Sequence, residues 1–564
     1  MCGIFAIVGK RNTLDILNCL RKLEYRGYDS CGLLYVYHNR CIMTKTIGGI
    51  NNLKNKIPAC NVDCAIGHTR WATHGITNVL NAHPQTTENN RFYVVHNGMI
   101  DNYQDIISKY GFILRSQTDT EVIAHMLDYY IKNNSLLESI VKIKNEIKGN
   151  YAIVLIDRLE NNRIYFLKNK SPLLIGADGK CFMISSDQCA FDSNMNVTIL
   201  NDGNYGYIDN DNYKIYTDND NEYWNTFYKS NETKIFEANE DFMLSEIKFE
   251  PELINIIYNK YKTIDLSKFK ALIGSCDEIV FVGAGSSHYA SSILKIMFEK
   301  KYNKRCHSIV ASELSNFNIL NKKILYMFLS QSGETADLCE HIDHIKENMG
   351  VVISLCNNVN STLGYKSDFI FPLFANEEIS VASTKAFMGM IYVGAILSSY
   401  EIADSKLISI SLKNTLKIED KIKRIAYDLA NSNVVFYIGK GLDYHIAEEG
   451  ALKLREISYL PAFSFQAGEL KHGSIALVDS DSVAILLSSD KSNYQALINC
   501  KEEIKSRSGN VYLITTYDKS SDIYVNETFL NLILIIQLLA YHTAVLLDRN
   551  VDKPRNLAKS VTVL

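Results

Sequence analysis

The second half of the chain repeats itself. Apolar runs begin at Glu278, Ile324 and Val351 (EIVFVGAGSS, ILYMFLSQSGE, VVISLCN), with starts 46 and 27 residues apart. Three more begin at Asn433, Ser482 and Asn510 (NVVFYIGKG, SVAILLSSD, NVYLITT), 49 and 28 residues apart. Unbroken Val, Ile, Leu and Phe runs mark strands covered on both faces, and the gaps leave room for crossover helices. The pattern therefore predicts one β-α-β unit used twice, each a doubly wound parallel sheet flanked by helices. Ligands bind beyond the carboxyl ends of such strands, which is where GAGSS (283–287) and SQSGET (330–335) fall.

A chain of 564 residues exceeds what one core organises, about 250 to 300 residues, so several domains are expected. Up to residue 208, short runs such as CGIFAIVG, NYAIVLID and RIYFLKN alternate with turns, and 120–130 carries a helical period. That reads as an α+β domain with layered sheets. From 209 to about 240 the chain is dense in Asn, Asp, Tyr and Lys, which reads as a linker or edge hairpins. The longest apolar run, 529–547, contains Asn531, Gln537 and His542, and so reads as a buried helix, not a membrane span. A net charge of -4 gives no broad positive field for nucleic acid or anionic lipid. Thirteen cysteines without a paired framework, behind an MCGIFAIVGK start, suggest a reduced cytoplasmic protein.

With the initiator methionine removed, Cys2 carries both a thiol and a free α-amine, nucleophile and base in one residue. A small buried cysteine opening a strand is the plain alternative. Five motifs follow it: RGYDSCG (26–32), GHTRWATHG (67–75), NAHPQ (81–85), HNGMIDN (96–102) and TDTE (118–121). Together they resemble the class II glutamine amidotransferase domain, an N-terminal nucleophile fold. The resemblance implies that Cys2 attacks the glutamine amide while the Asn97 side chain and the Gly98 N–H hold the oxyanion. It implies Arg70 against the α-carboxylate and Asp119 against the α-ammonium, with Thr73, His74 and His83 shaping the pocket. Arg26 is expected to brace the Cys2 loop, and Trp71 to shield an ammonia passage, although core packing fits its residue type equally. Cys60, Cys64 and His68, each four residues apart, do not converge along a strand, and no metal is expected.

In the second half, GAGSS and SQSGET are hydroxyl-rich turns whose N–H groups suit a phosphate, although a nucleotide or plain tight packing fits either turn alone. With VASTKAF (381–387), LKLREISY (452–459), GELKHG (468–473) and PRNLAKSVTVL (554–564), this half resembles the paired sugar-isomerase domains of the glucosamine-6-phosphate synthase family. That resemblance implies an α/β multidomain enzyme. Its parts are an amidotransferase domain at 2–208, a linker at 209–250, sugar-isomerase domains at 251–400 and 425–550, and a tail, 551–564, completing the sugar site. Ser286, Ser287, Ser330, Gln331, Ser332 and Thr335 would hold the phosphate and nearby hydroxyls, with Val381, Ala382 and Ser383 lining the sugar. Lys559 would form a Schiff base at C2, His472 assist ring opening and Glu456 move the proton between C1 and C2. Lys453, on the same helical face as Glu456, would tune it.

The implied reaction turns fructose 6-phosphate and glutamine into glucosamine 6-phosphate and glutamate, opening hexosamine and UDP-N-acetylglucosamine synthesis. No cofactor, metal, nucleic acid or membrane is implied, and the assembly expected is a homodimer. Two departures are visible: Ala284 stands where bacterial relatives often have cysteine, and PAFSFQAGE is unusual before GELKHG. Another class II amidotransferase would match only the first half, and a non-catalytic sugar-phosphate sensor would have no need of Glu456, His472 and Lys559.

Overall fold

The computed structural model describes residues 2–72, 74–179, 181–217, 228–229, 240–317, 323–400, 404–526 and 528–561. Thr73 and nearly half of the expected linker, 218–227 and 230–239, lie outside them. The chain divides into two compact units, Met1–Phe236 with the last five residues, and Glu237–Lys559.

The first unit begins with β1 (Gly3–Asn12), α1 (Thr13–Lys22), β2 (Ser30–Tyr37), β3 (Arg40–Ile47), α2 (Ile50–Lys54) and β4 (Asn61–Arg70). It continues with β5 (Phe92–Ile100), α3 (Tyr103–Tyr110), α4 (Thr120–Tyr130), α5 (Leu136–Glu146), β6 (Gly149–Asp157), β7 (Arg163–Asn169) and β8 (Leu174–Ala177). The last strands are β9 (Phe182–Ser185), β10 (Asn196–Ile199), β11 (Tyr205–Asp209), β12 (Tyr213–Tyr216) and β13 (Tyr228–Lys229). Among the described residues they form an eight-stranded sheet, β13-β10-β8-β9-β1-β4-β2-β3, and a five-stranded one, β12-β11-β7-β6-β5. Ile4, Ala6 and Val8 of β1 meet Tyr93, Val95 and Val154 in a core between the sheets. Phe5 and Ile7, on the opposite face of β1, pack with Ile16 and Leu20 of α1. Phe92, Val94 and Ile153 of the second sheet face Val122 and Met126 of α4. Helices thus cover both outer faces, which is why IFAIV shows no polar alternation. The expected linker enters this architecture, since β12 and β13 are edge strands of the two sheets.

The second unit opens with α6 (Phe242–Tyr261). Its first N–H groups, on Phe242 and Met243, donate to the Asp552 carboxylate at 2.9 and 2.8 Å, a negative charge at a helix start. This helix runs through the expected boundary at 250/251, so 242–250 belong to the second unit and not to a linker. Next come β14 (Glu278–Gly283), α7 (Ser286–Tyr302), β15 (Arg305–Val310), β16 (Ile324–Ser330), β17 (Val351–Cys356), β18 (Phe369–Pro372) and α8 (Lys385–Ser398). The second repeat holds β19 (Val434–Gly439), α9 (Leu442–Ser458), β20 (Ala462–Gln466), β21 (Ser482–Ser488), β22 (Asn510–Thr515), β23 (Ile523–Tyr524) and α10 (Leu530–Leu546).

The parallel sheets β15-β14-β16-β17-β18 and β20-β19-β21-β22-β23 have the same order, which bears out the duplication. Each has two outer strands beyond the three that the sequence marks. These are short and polar, or end at a proline (RCHSIV, FIFP, AFSFQ, IY), and AFSFQ accounts for the unusual PAFSFQAGE stretch. The repeats are not separate cores, because one apolar cluster runs from Met243 through α8 to Val551. The 529–547 run is the buried α10, whose Asn531 donates to Ser411 Oγ and accepts from Thr415 Oγ1, each at 2.9 Å. No helix among the described residues is long and apolar enough to cross a membrane.

Gly450 lets α9 lie against its sheet: a Cβ there would stand 2.7 Å from Tyr437 Cε1 and 3.2 Å from Ile536 Cβ. Gly450→Ala gains about 1 kcal/mol of helix propensity and loses about 1–3 kcal/mol to overpacking. The second unit should therefore melt earlier in urea. Unchanged or higher stability would contradict the packing account.

Candidate active sites

Pairing of β1 with β4 sets Gly3 opposite Thr69, so Cys2 meets the exit of β4. The Trp71 N–H donates to Cys2 Sγ at 3.3 Å, and the thiol faces Trp71 O at 3.5 Å. Burial pushes the thiol pKa up, against which the Trp71 N–H and Arg70 pull it down. Cys2, Arg70, Trp71, His74, His83, Gly98 and Asp119 line one cavity, together with His96, Thr118 and Thr120. Asn97 Nδ2 donates to Cys2 O at 2.9 Å. Gly98 has φ +114°, and a Cβ there would lie 1.9 Å from Asn150 O, so only glycine fits.

Arg70 is nearly buried; its Nη2 donates to His74 O, and its Nη1 has no hydrogen-bond partner among the described residues. A buried guanidinium with spare donors is suited to a carboxylate fork. Asp119 Oδ2 accepts the Ile100 N–H at 2.8 Å. Arg26 is not among the cavity residues. It is ion-paired with Asp187 at 2.6 Å, next to Ser186, whose hydroxyl accepts the Ile4 N–H at 3.0 Å, so any bracing of Cys2 runs through that strand.

In the second unit Ser286 and Ser287 form the first turn of α7, behind Gly285 at φ +55°. Ser330 closes β16; its Oγ accepts the Gly333 N–H at 2.9 Å and lies 3.2 Å from Thr335 Oγ1. Ser332 Oγ accepts the Glu334 N–H at 3.2 Å, while the Glu334 carboxylate is tied to Thr362 N and Oγ1, both at 2.8 Å. Gln331 follows Ser330 in the same turn and is half-buried. Helix α9, packed on α7, carries Lys453 fully buried, its Nζ 2.7 Å from Glu456 Oε2 and 3.4 Å from Glu449 Oε1. Burial pulls the Lys453 pKa down, but both carboxylates outweigh it and hold it above the ordinary ammonium value. Burial pushes Glu449, beside Lys453 and the Ser286 hydroxyl, up to about 8.

Lys559 is ion-paired with Glu378, both out of solvent. Glu378 also accepts from Thr384 N at 3.0 Å, Ala386 N at 2.9 Å and Ser383 Oγ at 3.2 Å. Burial alone raises its pKa, but Lys559 and these donors hold it below the usual carboxylate range. Its charge also acts on Lys453, so Lys559, Lys453 and Glu456 belong to one electrostatic cluster. The Val381 N–H donates to Asp552 O at 3.1 Å and Ala382 is buried. His472 differs: it is exposed on a short 3-10 turn, and its imidazole makes no hydrogen bond or ion pair among the described residues.

Sequence reasoning missed Glu378 and Glu449. The Glu377–Glu378 pair ahead of VASTKAF has no periodic signature, and Lys559, the partner of Glu378, is 181 positions away. In the second repeat the turn matching GAGSS is closed from within: the buried Asp443 accepts from Ser489 N at 2.7 Å and Ser489 Oγ at 2.5 Å. Among the described residues no group of three His, Cys, Asp or Glu could hold a metal ion, and Cys64 lies in the core between the sheets of the first unit.

A layered αββα unit with a cysteine beside its first strand, followed by duplicated parallel sheets with hydroxyl-rich turns, defines a glutamine amidotransferase joined to a sugar-isomerase pair. The glutamine amidotransferase domain family matches residues 68–193, and the SIS domain family matches 272–398 and 428–537. The isomerizing glutamine–fructose-6-phosphate aminotransferases of Oceanobacillus iheyensis and Clostridium acetobutylicum are 35% and 34% identical to this chain, over 100% of both chains in each pair. The solved C-terminal domain of glucosamine-fructose-6-phosphate aminotransferase from Francisella tularensis is 30% identical, with a TM-score of 0.50, over 56% of this chain and 99% of its own. The chain belongs to the isomerizing glutamine–fructose-6-phosphate aminotransferase family.

His68, His83 and His96 are buried, and burial holds all three below the ordinary imidazole value, His68 at about 3. The unfolded chain takes up these protons near pH ~6.5 and the folded one does not, so their share of stability is whole above that pH and lost as pH falls. The melting temperature of the first unit should fall less steeply below pH ~6.5 in His83→Asn than in the parent chain. Parallel slopes in calorimetry would contradict this.

Proposed function

We propose that the chain converts D-fructose 6-phosphate and L-glutamine to D-glucosamine 6-phosphate and L-glutamate, the first reaction of hexosamine synthesis. Cys2 attacks the glutamine side-chain amide, and the oxyanion takes hydrogen bonds from Asn97 Nδ2 and the Gly98 N–H. Arg70 binds the α-carboxylate and Asp119 the α-ammonium; ammonia leaves, and water then hydrolyses the thioester to glutamate. At the sugar site, Ser286, Ser287, Ser330, Gln331, Ser332 and Thr335 bind phosphate and hydroxyls while His472 assists ring opening. Lys559 condenses with the C2 carbonyl and releases water. Ammonia then displaces the lysine at C2, and Glu456 carries the proton between C1 and C2.

What supports this reading most is that Lys559 and Lys453 are buried in ion pairs, the first with Glu378 and the second with Glu449 and the part-buried Glu456. A sensor has no use for two desolvated lysines, since each costs several kcal/mol to bury. The amidotransferase part is read as 2–208, the sugar part as beginning at α6, and the assembly as a cytoplasmic homodimer.

Borohydride added with fructose 6-phosphate should fix a sugar phosphate on the peptide bearing Lys559, and Lys559→Arg should abolish the adduct. Cys2→Ala should lose glutamate release and keep the trapping. An adduct on another lysine, or none in the parent chain, would contradict the sugar-site assignment.

A further inference from the structure

His68 has no part in the reaction as proposed, yet it is wholly buried beside the Cys2 site. It lies on β4 of the eight-stranded sheet, and Asn97 lies on β5 of the five-stranded one. Cys64 and Ile66 on β4 and Val95 on β5 fill the core between the sheets, and His68 and Asn97 continue those two faces. His68 Nε2 is 3.0 Å from His96 O and 3.1 Å from Asn97 Oδ1.

A backbone carbonyl only accepts, so Nε2 carries the hydrogen and shares it with Asn97 Oδ1. At the other end of the amide, Asn97 Nδ2 donates at 2.9 Å to Cys2 O, which also only accepts. Both ends select the same orientation. A flipped amide would set its NH2 against the His68 N–H and its oxygen against the Cys2 carbonyl, two repulsive contacts.

We infer that His68 is a positioning residue of the glutaminase half-reaction, bridging the two sheets to aim the Asn97 NH2 at the oxyanion of the attacked glutamine amide. The inference rests on the proposed role of Asn97. The imidazole acts in its neutral form: its Nδ1 has no partner among the described residues, the His83 ring packs 4.3 Å away, and nearby Arg70 opposes a second cation.

The test measures glutamate release, KM for glutamine and the rate of Cys2 alkylation by iodoacetamide in the full chain with fructose 6-phosphate present. Removing one oxyanion donor typically costs about a hundredfold or more in kcat, so Asn97→Ala should fall by that much. His68→Leu should fall by a similar factor, with KM changed by less than about threefold and alkylation unchanged, because alkylation forms no oxyanion. His68→Gln, whose amide N–H reaches the same place, should recover most of the loss. His68→Asn is too short to do so and serves as the loss variant if His68→Leu does not fold.

Adding either loss variant to Asn97→Ala should lower kcat no further, since residues acting as a unit are not additive. Additive losses, or an equal fall in alkylation, would overturn the positioning role while leaving Asn97 as donor. An Asn97→Ala variant with unchanged kcat would overturn the oxyanion assignment itself, and the His68 inference with it.

Discussion

Lys453 and Lys559 of the second unit each hold an ammonium out of water, and each needs a carboxylate beside it. Lys453 sits between Glu449 and Glu456, and Lys559 sits against Glu378. Leaving either unpaired would cost several kcal/mol, so the elements carrying the carboxylates must meet where they do. Helix α9 supplies one set along a single face. The other pair joins the segment before α8 to the end of the chain, and Glu378 is itself fixed by backbone N–H groups at the start of α8. The shared apolar core around α6, α8 and α10 is the frame that keeps these ends together. Duplication supplied two similar sheets, but only the first repeat leaves its glycine-serine turn open, since Asp443 and Ser489 close the corresponding turn of the second.

The first unit solves a different problem. Its proposed nucleophile, Cys2, precedes a strand of one sheet and meets a side-chain amide from the other. Cys2 is held by Trp71 at the exit of β4, while Asn97 and Gly98 come from β5. Buried imidazoles, His68, His83 and His96, stand nearby, and desolvation disfavours their charged forms. Arg70 is the exception, and its spare Nη1 donors suit the substrate carboxylate proposed for it.

Much of this was legible in the sequence. The unbroken apolar runs marked the inner strands of both parallel sheets, and the motifs around Cys2, Arg70, Gly98 and Asp119 named residues that line one cavity. What escaped were features without local pattern. Outer strands such as RCHSIV and FIFP are too short or too polar to stand out. The 250/251 boundary cut a helix whose starting charge, Asp552, lies 310 positions away from Phe242. Glu378 and His68 matter through partners on other elements, so neither periodicity nor residue type distinguishes them. His472, conspicuous in GELKHG, is exposed and unpaired among the described residues.

The central claim is that the amide nitrogen of glutamine becomes the amino nitrogen of the sugar. Incubation with amide-15N glutamine and fructose 6-phosphate, read by mass spectrometry, tests it most directly. The expected product is glucosamine 6-phosphate carrying 15N, formed in step with glutamate. Glutamate without labelled amino sugar, or neither product, would contradict it.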